Sequence, residues 1–317
     1  MQSFSSSTPD LRPRLLVVEL WGIGDVALAV PFLREASRHT RVTFLAKPHA
    51  APLVRRFCPE VEHVSFTAPW TAFRGKYRLH RWPWAELSAL LGGLRKRRFA
   101  AAVSARADPR DHALMLVAGA KLRVGFPRAG SSPLLTERLA PPIRPHRSEY
   151  WETLAGHFGW QTRQIENPRS KIQNHIVIHT GAAQPTRQWG RGQFEEIARR
   201  LRESGWPVTL LDDQSGNLDD LLQTLATASR FIGNDSGPGH LAALLGVPTF
   251  SIFGAQLPES FHPQHPQAAW IEGTPCPYKP CNDYCHFVEP HCIRSITVEE
   301  TWTRLSTWLA QLSSTER

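Results

Sequence analysis

Short apolar runs alternate with amphipathic segments along most of the chain, and this alternation constrains the fold more than any other feature. Apolar runs bounded by turn residues predict strands, and segments with apolar residues every three or four positions predict helices. The predicted strands lie at 15–20, 42–46, 61–66, 99–104, 122–126, 175–179, 208–211, 231–233 and 249–253, and the predicted helices at 25–36, 84–97, 109–118, 194–203, 218–228 and 239–245. Because strands that alternate with helices pair in parallel, the sequence predicts an α/β protein with doubly wound parallel sheets.

The alternating pattern stops near the middle of the chain and then starts again. A stretch rich in proline and arginine at 140–150, and the segment IENPRSK at 165–171, separate the two series of elements. A chain of 317 residues also exceeds the length at which a single core is usual. We therefore predict a flexible tail at 1–13 and two Rossmann-like domains, at 14–168 and 169–317, which face each other across a cleft.

The composition limits the binding partners and the cellular compartment that we expect for this protein. The net charge of +9 favours an anionic partner such as a phosphorylated sugar, an acidic membrane surface or a nucleic acid, although many single charges serve only to solvate the surface. No run approaches the roughly 18 apolar residues of a membrane span, and the first residues lack the apolar core of a signal peptide. We therefore expect a cytoplasmic protein whose cysteines are in a reducing environment.

The first strand runs into a glycine turn, residues 22–27, with the sequence GIGDVA that dinucleotide-binding proteins use. Such proteins place an acid after the second strand to hold a ribose, but this chain has Lys47 there, which in an NAD(P)-dependent oxidoreductase could contact a 2′-phosphate. Asp25 stands where a pyrophosphate would bind, and its charge would repel one. Two roles stay open for Asp25: a general base held at a helix N-terminus, or only a helix cap.

The second half contains two strand–turn–helix junctions that suit an anion. In FIGNDSGPGHLAALLG, Gly237 and Gly239 let the backbone approach a ligand, and Ser236 with the N–H groups of the next helix can hold phosphate oxygens. The other junction, IVIHTGAAQPTRQWG, places Arg187 after a loop of small residues. The planar guanidinium of arginine matches the paired oxygens of a diphosphate.

These motifs, in this order and at these separations, identify a resemblance to glycosyltransferase family 9, the ADP-heptose:lipopolysaccharide heptosyltransferases. The matching segments are I-G-D-V at 23–26, the junction from His179 to Trp189, and N-D-S-G-P-G-H-L-A-A-L-L-G-V-P-T ending at Gly254. The resemblance implies a GT-B fold and an inverting transfer of a sugar from an ADP-sugar donor, without a metal or another cofactor. It gives Asp25 the role of general base for the acceptor hydroxyl. It also implies donor-binding residues, which are Thr180, Gly181, Arg187, Asp235, Ser236, Gly237 and His240.

The resemblance also implies an acceptor, a phosphorylated glycolipid, and a place for the protein at the cytoplasmic membrane surface. The stretch FRGKYRLHRWPW interleaves cations with aromatic rings, which suits such a glycolipid but is also found in single-stranded nucleic-acid sites and in solvated loops. Our acceptor-binding candidates are Gly24, Arg74, Lys76, Arg106 and Arg110. We expect a monomer without nucleic acid, cytoplasmic or peripheral on the inner membrane. A catalytically inactive sugar- or nucleic-acid-binding module is the alternative.

Two segments depart from simple patterns. Only DDQSGN separates the strand at 208–211 from the next helix, where family members place a further helix and strand, so Asp212 and Asp213 are either ribose contacts or turn residues. Near the C-terminus, Cys276, Cys281, Cys285 and Cys292 follow the spacing C-x4-C-x3-C-x6-C, with His286 and His291 nearby. This spacing is looser than the C-x2-C pairs of a zinc ribbon. A structural zinc, a disulfide and free thiols therefore all remain possible.

Overall fold

The computed structural model describes residues 11–73, 76, 78–143, 146–163, 174–281 and 283–315. Residues 1–10 of the predicted tail, the predicted domain boundary near residue 168 and the acceptor candidate Arg74 lie outside the described residues. The described chain divides into two compact units. One comprises the described parts of Met1–Trp21, Phe32–Pro141 and Glu152–Thr162, and the other those of Gly22–Pro31, Pro142–Trp151 and Arg163–Arg317.

The first unit is built on a six-stranded parallel sheet. Its strands are β1 (Arg14–Glu19), β2 (Arg41–Ala46), β3 (Glu62–Ser65), β4 (Ala101–Ser104), β5 (Leu122–Gly125) and β6 (Glu137–Arg138). Their spatial order is β3-β2-β1-β4-β5-β6, so the order reverses between β1 and β4. This is the strand order of a Rossmann fold, in which ligands bind at the carboxyl ends of the strands beside the reversal.

Helices cover the faces of this sheet. They are α1 (Ile23–His39), α2 (Ala51–Phe57), α3 (Trp84–Lys96) and α4 (Pro109–Val117). A further helix, α5 (Arg147–His157), follows, and the first residues of α1 and α5 group with the second unit. Leu16, Val18 and Leu45 from the sheet pack with Leu94 and Met115 from α3 and α4 in one buried core. Burial of both faces explains why these strands are continuous apolar runs rather than alternating ones.

The second unit is built on a five-stranded parallel sheet. Its strands are β7 (Ile176–His179), β8 (Val208–Leu211), β9 (Arg230–Asn234), β10 (Thr249–Phe253) and β11 (Ala269–Glu272). Its helices are α6 (Arg191–Glu203), α7 (Leu218–Ala226), α8 (Gly237–Leu244), α9 (Pro258–Phe261), α10 (His291–Arg294) and α11 (Val298–Thr315). The strand order β8-β7-β9-β10-β11 reverses between β7 and β9. Because the segment at 212–217 forms no strand of its own, β8 lies at the edge of the sheet.

The two sheets confirm the prediction of two doubly wound parallel-sheet domains, while several elements differ in detail. The first helix begins at Ile23. Helices α2, α5, α9, α10 and α11 and strands β6 and β11 were not predicted. A capping box precedes α11, since Glu300 N–H donates to Thr297 Oγ1 at 3.2 Å and Thr297 N–H donates to Glu300 Oε2 at 3.0 Å. The T-x-x-E spacing ahead of an apolar repeat is a sequence signal for this helix. Helix α5 starts inside the proline- and arginine-rich stretch, which hid its apolar face.

A cluster of charged groups is buried where β1 and β4 end in the first unit. Glu19 and Asp111 have no solvent exposure, and Arg106 Nε lies 3.8 Å from Glu19 Oε1. The Ser104 hydroxyl donates to Asp111 Oδ2 at 3.3 Å. Burial, together with the charges of Asp108 and Glu19, raises the pKa of Asp111 to about 8. Asp111 therefore stays protonated at neutral pH.

The raised pKa of Asp111 predicts a pH-dependent effect of Asp111→Asn on stability. Between its ordinary pKa of 3.8 and about 8, the folded state keeps a proton that the unfolded state releases. The contribution of Asp111 to the unfolding free energy of the wild type therefore decreases as the pH rises through that window. Because the amide cannot ionise, the variant should gain stability relative to the wild type from pH about 4 to about 8, measured by urea unfolding.

Asp212→Asn provides the control of opposite sign. Hydrogen bonds from Ser215 and from the Gln214 N–H lower the pKa of Asp212. Its contribution to stability is present above the unfolded-state pKa and is lost as the pH falls, so this variant should lose stability relative to the wild type as the pH rises. Parallel pH profiles for Asp111→Asn and the wild type would contradict a protonated, buried Asp111.

Candidate functional site

The first turns of α1 and α8 pack directly against each other within the second unit. A Cβ atom on Gly24 would lie 2.7 Å from Cδ2 of His240, and a Cβ atom on Gly237 would lie 2.1 Å from Cγ2 of Ile23. Real Cβ atoms do not approach other atoms so closely, so both positions require glycine. The two glycines therefore bring the N-terminal ends of two helices into one place.

Asp25 lies in the first turn of α1, half-buried and three positions after Gly22. Its Oδ2 accepts a hydrogen bond from the Gly22 N–H at 3.2 Å, which is the bond that an acid at this position makes in a capping box. The prediction that the helix begins at Asp25 is therefore wrong, since the helix begins at Ile23 and Asp25 caps it from within the first turn. The carboxylate still stabilises the helix N-terminus, and its charge acts on Arg187, Asp235 and His240.

The helix α8 begins after Ser236, whose hydroxyl donates to the Asn234 carbonyl at 3.2 Å instead of capping the helix. His240 is buried, and its Nδ1 has no hydrogen-bond partner among the described residues. Burial lowers the pKa of His240 to about 4, although the charge of Asp25 opposes this shift. His240 is therefore a neutral ring beside the carboxylate of Asp25.

Arg187 is held between two carboxylates from distant parts of the chain. Its Nε and Nη2 each donate to Asp283 at 2.7 Å, and its Nη1 lies 3.4 Å from Asp235 Oδ2. Asp235 is almost completely buried, and burial raises its pKa to about 6 although Arg187 lowers it. The two carboxylates together raise the pKa of Arg187 against the effect of its burial. The guanidinium is therefore a fixed cation between Asp235 and Asp283.

Thr180 and Gly181 lie at the carboxyl end of β7, beside the reversal in strand order. The Thr180 hydroxyl donates to the Leu211 carbonyl at 3.3 Å, and the Thr180 carbonyl accepts from Asn234 Nδ2 at 2.8 Å. Asn234 Oδ1 also accepts from the Trp189 N–H at 2.9 Å. One buried amide therefore joins the ends of β7 and β9 to the loop that follows Arg187.

The two aspartates after β8 have different surroundings. Asp212 Oδ1 accepts from the Gln214 N–H at 3.0 Å and from the Ser215 hydroxyl at 2.7 Å, so Asp212 is a turn residue. Asp213 instead lies against Gly181, and its Oδ1 is 3.9 Å from Nε2 of His179. Of the two, Asp213 is the one near the end of β7.

Three acceptor candidates, Lys76, Arg106 and Arg110, lie in the first unit. The Arg106 guanidinium lies 4.9 Å from the ring centroid of Trp21. Arg110 makes two hydrogen bonds to Asp108, the N-cap of α4, at 2.9 and 2.6 Å, and donates to the Trp70 carbonyl at 3.2 Å. Arg106 and Arg110 therefore flank the start of α4.

Tryptophan side chains pack against one another within the basic stretch of the first unit. The Lys76 carbonyl accepts from Trp82 Nε1 at 3.1 Å, and Trp82 packs against Trp70 and Trp84. The side chains of Leu79 and Trp84 are 55% and 53% exposed, and Arg78 and Arg81 beside them are also exposed. The surface formed by Lys76, Arg78, Leu79, Arg81 and Trp84, here called the basic–aromatic surface, therefore combines cations with exposed apolar groups.

The four clustered cysteines are free thiols, as is Cys58. Cys276, Cys281, Cys285 and Cys292 line one small cavity, together with Tyr278, Lys279, His286, Phe287 and His291. Burial raises the pKa of both Cys281 and Cys292. Within the described parts of the chain, no group of three or more His, Cys, Asp and Glu side chains is arranged to hold a metal ion. Because the four cysteines are free thiols, the structure does not contain the disulfide that the sequence allowed.

Comparisons with known proteins find similarity to heptosyltransferases. The family model described as glycosyltransferase family 9 (heptosyltransferase) matches residues 215–289. A curated relative, lipopolysaccharide heptosyltransferase 1 of Pseudomonas aeruginosa, is 27% identical over 147 residues, which are 40% of this chain and 41% of that protein. The chain thus aligns with about two fifths of the length of this relative.

Solved structures match almost the whole chain. The E. coli heptosyltransferase WaaC with ADP has a TM-score of 0.72 at 15% identity, with 93% of this chain and 99% of that chain covered. The E. coli ADP-heptose lps heptosyltransferase II has a TM-score of 0.69 at 20% identity, with 95% and 99% covered. The family-model match and the curated relative show that this chain is similar to glycosyltransferase family 9. Its two parallel-sheet domains have the GT-B fold.

The structure adds residues to the candidate site that the sequence did not indicate. Asp283, Asn234 and Lys279 were not among the candidates. Asp283 holds Arg187, Asn234 joins the ends of β7 and β9 to the loop after Arg187, and the charge of Lys279 opposes the rise in the pKa of Asp235. Asn234 directly precedes the predicted Asp235 and could have been found as a polar residue that ends a buried strand. Asp283 lies among the cysteines, and no local pattern relates it to Arg187.

The packing of α1 against α8 predicts that Gly237→Ala destabilises the protein. The new methyl group would clash with Ile23, and overpacking of this kind costs typically 1–3 kcal/mol of unfolding free energy. Because Ile23→Ala removes the Cγ2 atom, the double variant should recover part of this loss. Urea unfolding of both single variants and the double variant measures the coupling.

Gly192→Ala is the matched control for this experiment. Gly192 lies in the first turn of α6, where an added Cβ would meet nothing within 4 Å. Its replacement by alanine should leave stability unchanged or raise it by up to about 1 kcal/mol. If the losses of unfolding free energy in Ile23→Ala and Gly237→Ala simply add in the double variant, the two helix ends do not touch in solution.

Proposed function

We propose that this chain is a glycosyltransferase that moves a heptose, or a related sugar, from an ADP-sugar to the lipopolysaccharide core or a related cell-surface glycan. Similarity to glycosyltransferase family 9 supports the reaction class, and the ADP named with the E. coli structure supports the donor. The observation that most favours this reaction is the meeting of Asp25 with the N-terminus of α8 in one unit. A basic group and an anion-binding helix end are what this transfer needs.

The donor is proposed to bind at the ends of β7 and β9. Thr180, Gly181 and Ser236 offer backbone and hydroxyl groups there, and the first turn of α8 adds its N–H groups and positive dipole end. Arg187 contributes a fixed positive charge for the diphosphate. As the anomeric carbon–oxygen bond breaks, its electron pair passes to the phosphate oxygen, and these groups stabilise the developing charge of ADP.

The acceptor hydroxyl is proposed to lose its proton to Asp25. Its oxygen attacks the anomeric carbon from the face opposite the leaving ADP, which inverts the configuration, while the carboxylate takes the proton. Asp235, buried beside Arg187, and the neutral His240 line the same site and are proposed to contact the sugar. No metal or other cofactor is part of this mechanism.

This mechanism predicts that Asp25→Asn stops turnover without unfolding the protein. The amide keeps the size of the side chain and can still accept from the Gly22 N–H, but it has no useful basicity. A positioned general base contributes roughly 10²- to 10⁴-fold, so turnover should fall by at least about a hundredfold. ADP affinity should stay near the wild-type value, as measured by calorimetry.

Asp220→Asn is a closely matched control, because Asp220 occupies the same position in the first turn of α7. Its Oδ2 accepts from the N–H of the N-cap Asn217 at 3.1 Å. This variant should lose a similar small amount of stability and keep full turnover. Turnover of Asp25→Asn within a few-fold of the wild type would leave Asp25 as a capping residue only. Tighter binding of NAD by Asp25→Asn would instead favour an oxidoreductase.

We further propose that the protein acts as a monomer at the cytoplasmic face of a membrane, through the basic–aromatic surface. Among the described residues, no helix is long and apolar enough to cross a bilayer. The exposed Leu79 and Trp84 beside Arg78 and Arg81 support this proposal, because interfacial segments combine an apolar group with cations. The phosphorylated glycolipid acceptor would be bound near this surface, with Lys76, Arg106 and Arg110 as its candidate contacts.

Vesicle binding tests this proposal. Neutralising Lys76, Arg78 and Arg81 to glutamine should weaken binding to vesicles with anionic lipid by about a hundredfold, since each cation contributes about 1 kcal/mol near such a surface. Sedimentation with vesicles at two salt concentrations measures the effect. Neutralising Arg191, Arg199 and Arg202 on α6 removes the same charge and should change binding little. Equal losses in the two triple variants would indicate a general charge effect rather than a docking surface.

A further inference from the structure

Arg187 is held mainly by one carboxylate, that of Asp283. Arg187 Nε and Nη2 donate to the two oxygens of Asp283, both at 2.7 Å. The Thr186 hydroxyl donates to Asp283 Oδ1 at 3.1 Å. Asp283 therefore accepts from two successive residues of the loop after β7, and it grips one edge of the guanidinium bidentately.

This grip determines where the remaining edge of Arg187 points. With Nε and Nη2 held by Asp283, Nη1 faces Asp235 at 3.4 Å, at the start of the turn into α8. An arginine side chain loses much rotamer freedom when it binds a ligand, and this cost is smaller when the side chain is already held. Asp283 thus fixes the guanidinium in a single orientation before any anion arrives.

The backbone at Asp283 is also specialised for this contact. Asp283 has a φ of 69°, in the left-handed region that few residues other than glycine, asparagine and aspartate adopt. Its side chain is only 11% exposed, so the carboxylate is directed inward from a segment rich in exposed aromatics. A strained backbone and a buried charge both cost stability, and the bidentate contact with Arg187 offsets them.

We propose that Asp283 is a positioning residue for the transfer reaction, which orients Arg187 toward the diphosphate of the donor. The inference rests on the proposed function, since it assigns Arg187 to the donor. Asp283 itself need not touch the donor. The competing possibility is that Asp283 occupies the place of a phosphate on Arg187 and must be displaced by the donor.

The direction in which Asp283→Asn changes ADP affinity distinguishes these possibilities. Removing the negative charge of Asp283 by Asp283→Asn favours an incoming anion electrostatically, so it should tighten ADP binding if Asp283 only repels or competes. If Asp283 orients Arg187, the variant should bind ADP about tenfold or more weakly, as expected for the loss of a charged hydrogen-bonded contact. Asparagine tolerates the left-handed conformation, so the backbone at position 283 is preserved.

The experiment compares ADP binding by calorimetry among the wild type and four variants: Asp283→Asn, Arg187→Ala, the double variant, and Glu289→Gln. The double variant should bind ADP no more weakly than Arg187→Ala, because Asp283 acts through Arg187. Glu289→Gln, which removes an exposed charge from the same segment, should bind like the wild type. In steady-state assays, Asp283→Asn should raise the KM for the donor and leave the KM for the acceptor unchanged.

Two further variants keep the proposal testable if Asp283→Asn folds poorly. Thr186→Val removes only the hydroxyl that holds Asp283 and should weaken ADP binding a few-fold, while Asp283→Glu restores the charge and should recover part of the affinity. Unchanged or tighter ADP binding by folded Asp283→Asn would overturn the positioning role and leave the proposed function standing. A wild type that binds no ADP would instead overturn the proposed function itself.

Discussion

The contact between the first turns of α1 and α8 is the constraint on which the candidate site depends. Two helix N-termini carry partial positive charge and would repel each other at short range. Gly24 and Gly237 remove the steric barrier, and the carboxylate of Asp25, within the first turn of α1, supplies negative charge at the same place. A side chain at either glycine would separate the two helix ends and move Asp25 away from the turn that contains Ser236.

The charges around this contact form a connected set rather than separate pairs. Asp25 acts electrostatically on Arg187, Asp235 and His240, and Arg187 in turn opposes the effect of burial on Asp235. The set holds one arginine against two carboxylates, with Asp25 close by, so it has an excess of negative charge before a donor binds. Helix dipoles and backbone N–H groups are therefore needed to make the place attractive to a diphosphate.

Much of the fold and part of the site could be predicted from the sequence. Periodicity located most strands and helices, because the spacing of apolar residues is a local property of each segment. The glycine turn at 22–27 and the NDSGPGH segment marked two of the loops that meet in the site. Helix α5 escaped prediction because it begins inside a stretch dense in proline and arginine, and the start of α1 was misplaced by two residues because an acid within the first turn resembles an N-cap.

The sequence by itself determined the α/β class, the two sheets and the residue types at each strand end, because these follow from local periodicity and turn chemistry. Only the tertiary structure decided which of those residues meet. Asp283 lies 96 positions after Arg187 along the chain, and no local spacing relates them. The approach of Gly24 to His240 likewise depends on how α1 and α8 pack. Such contacts arise from the order of strands in the sheet and from close packing, which a linear pattern does not encode.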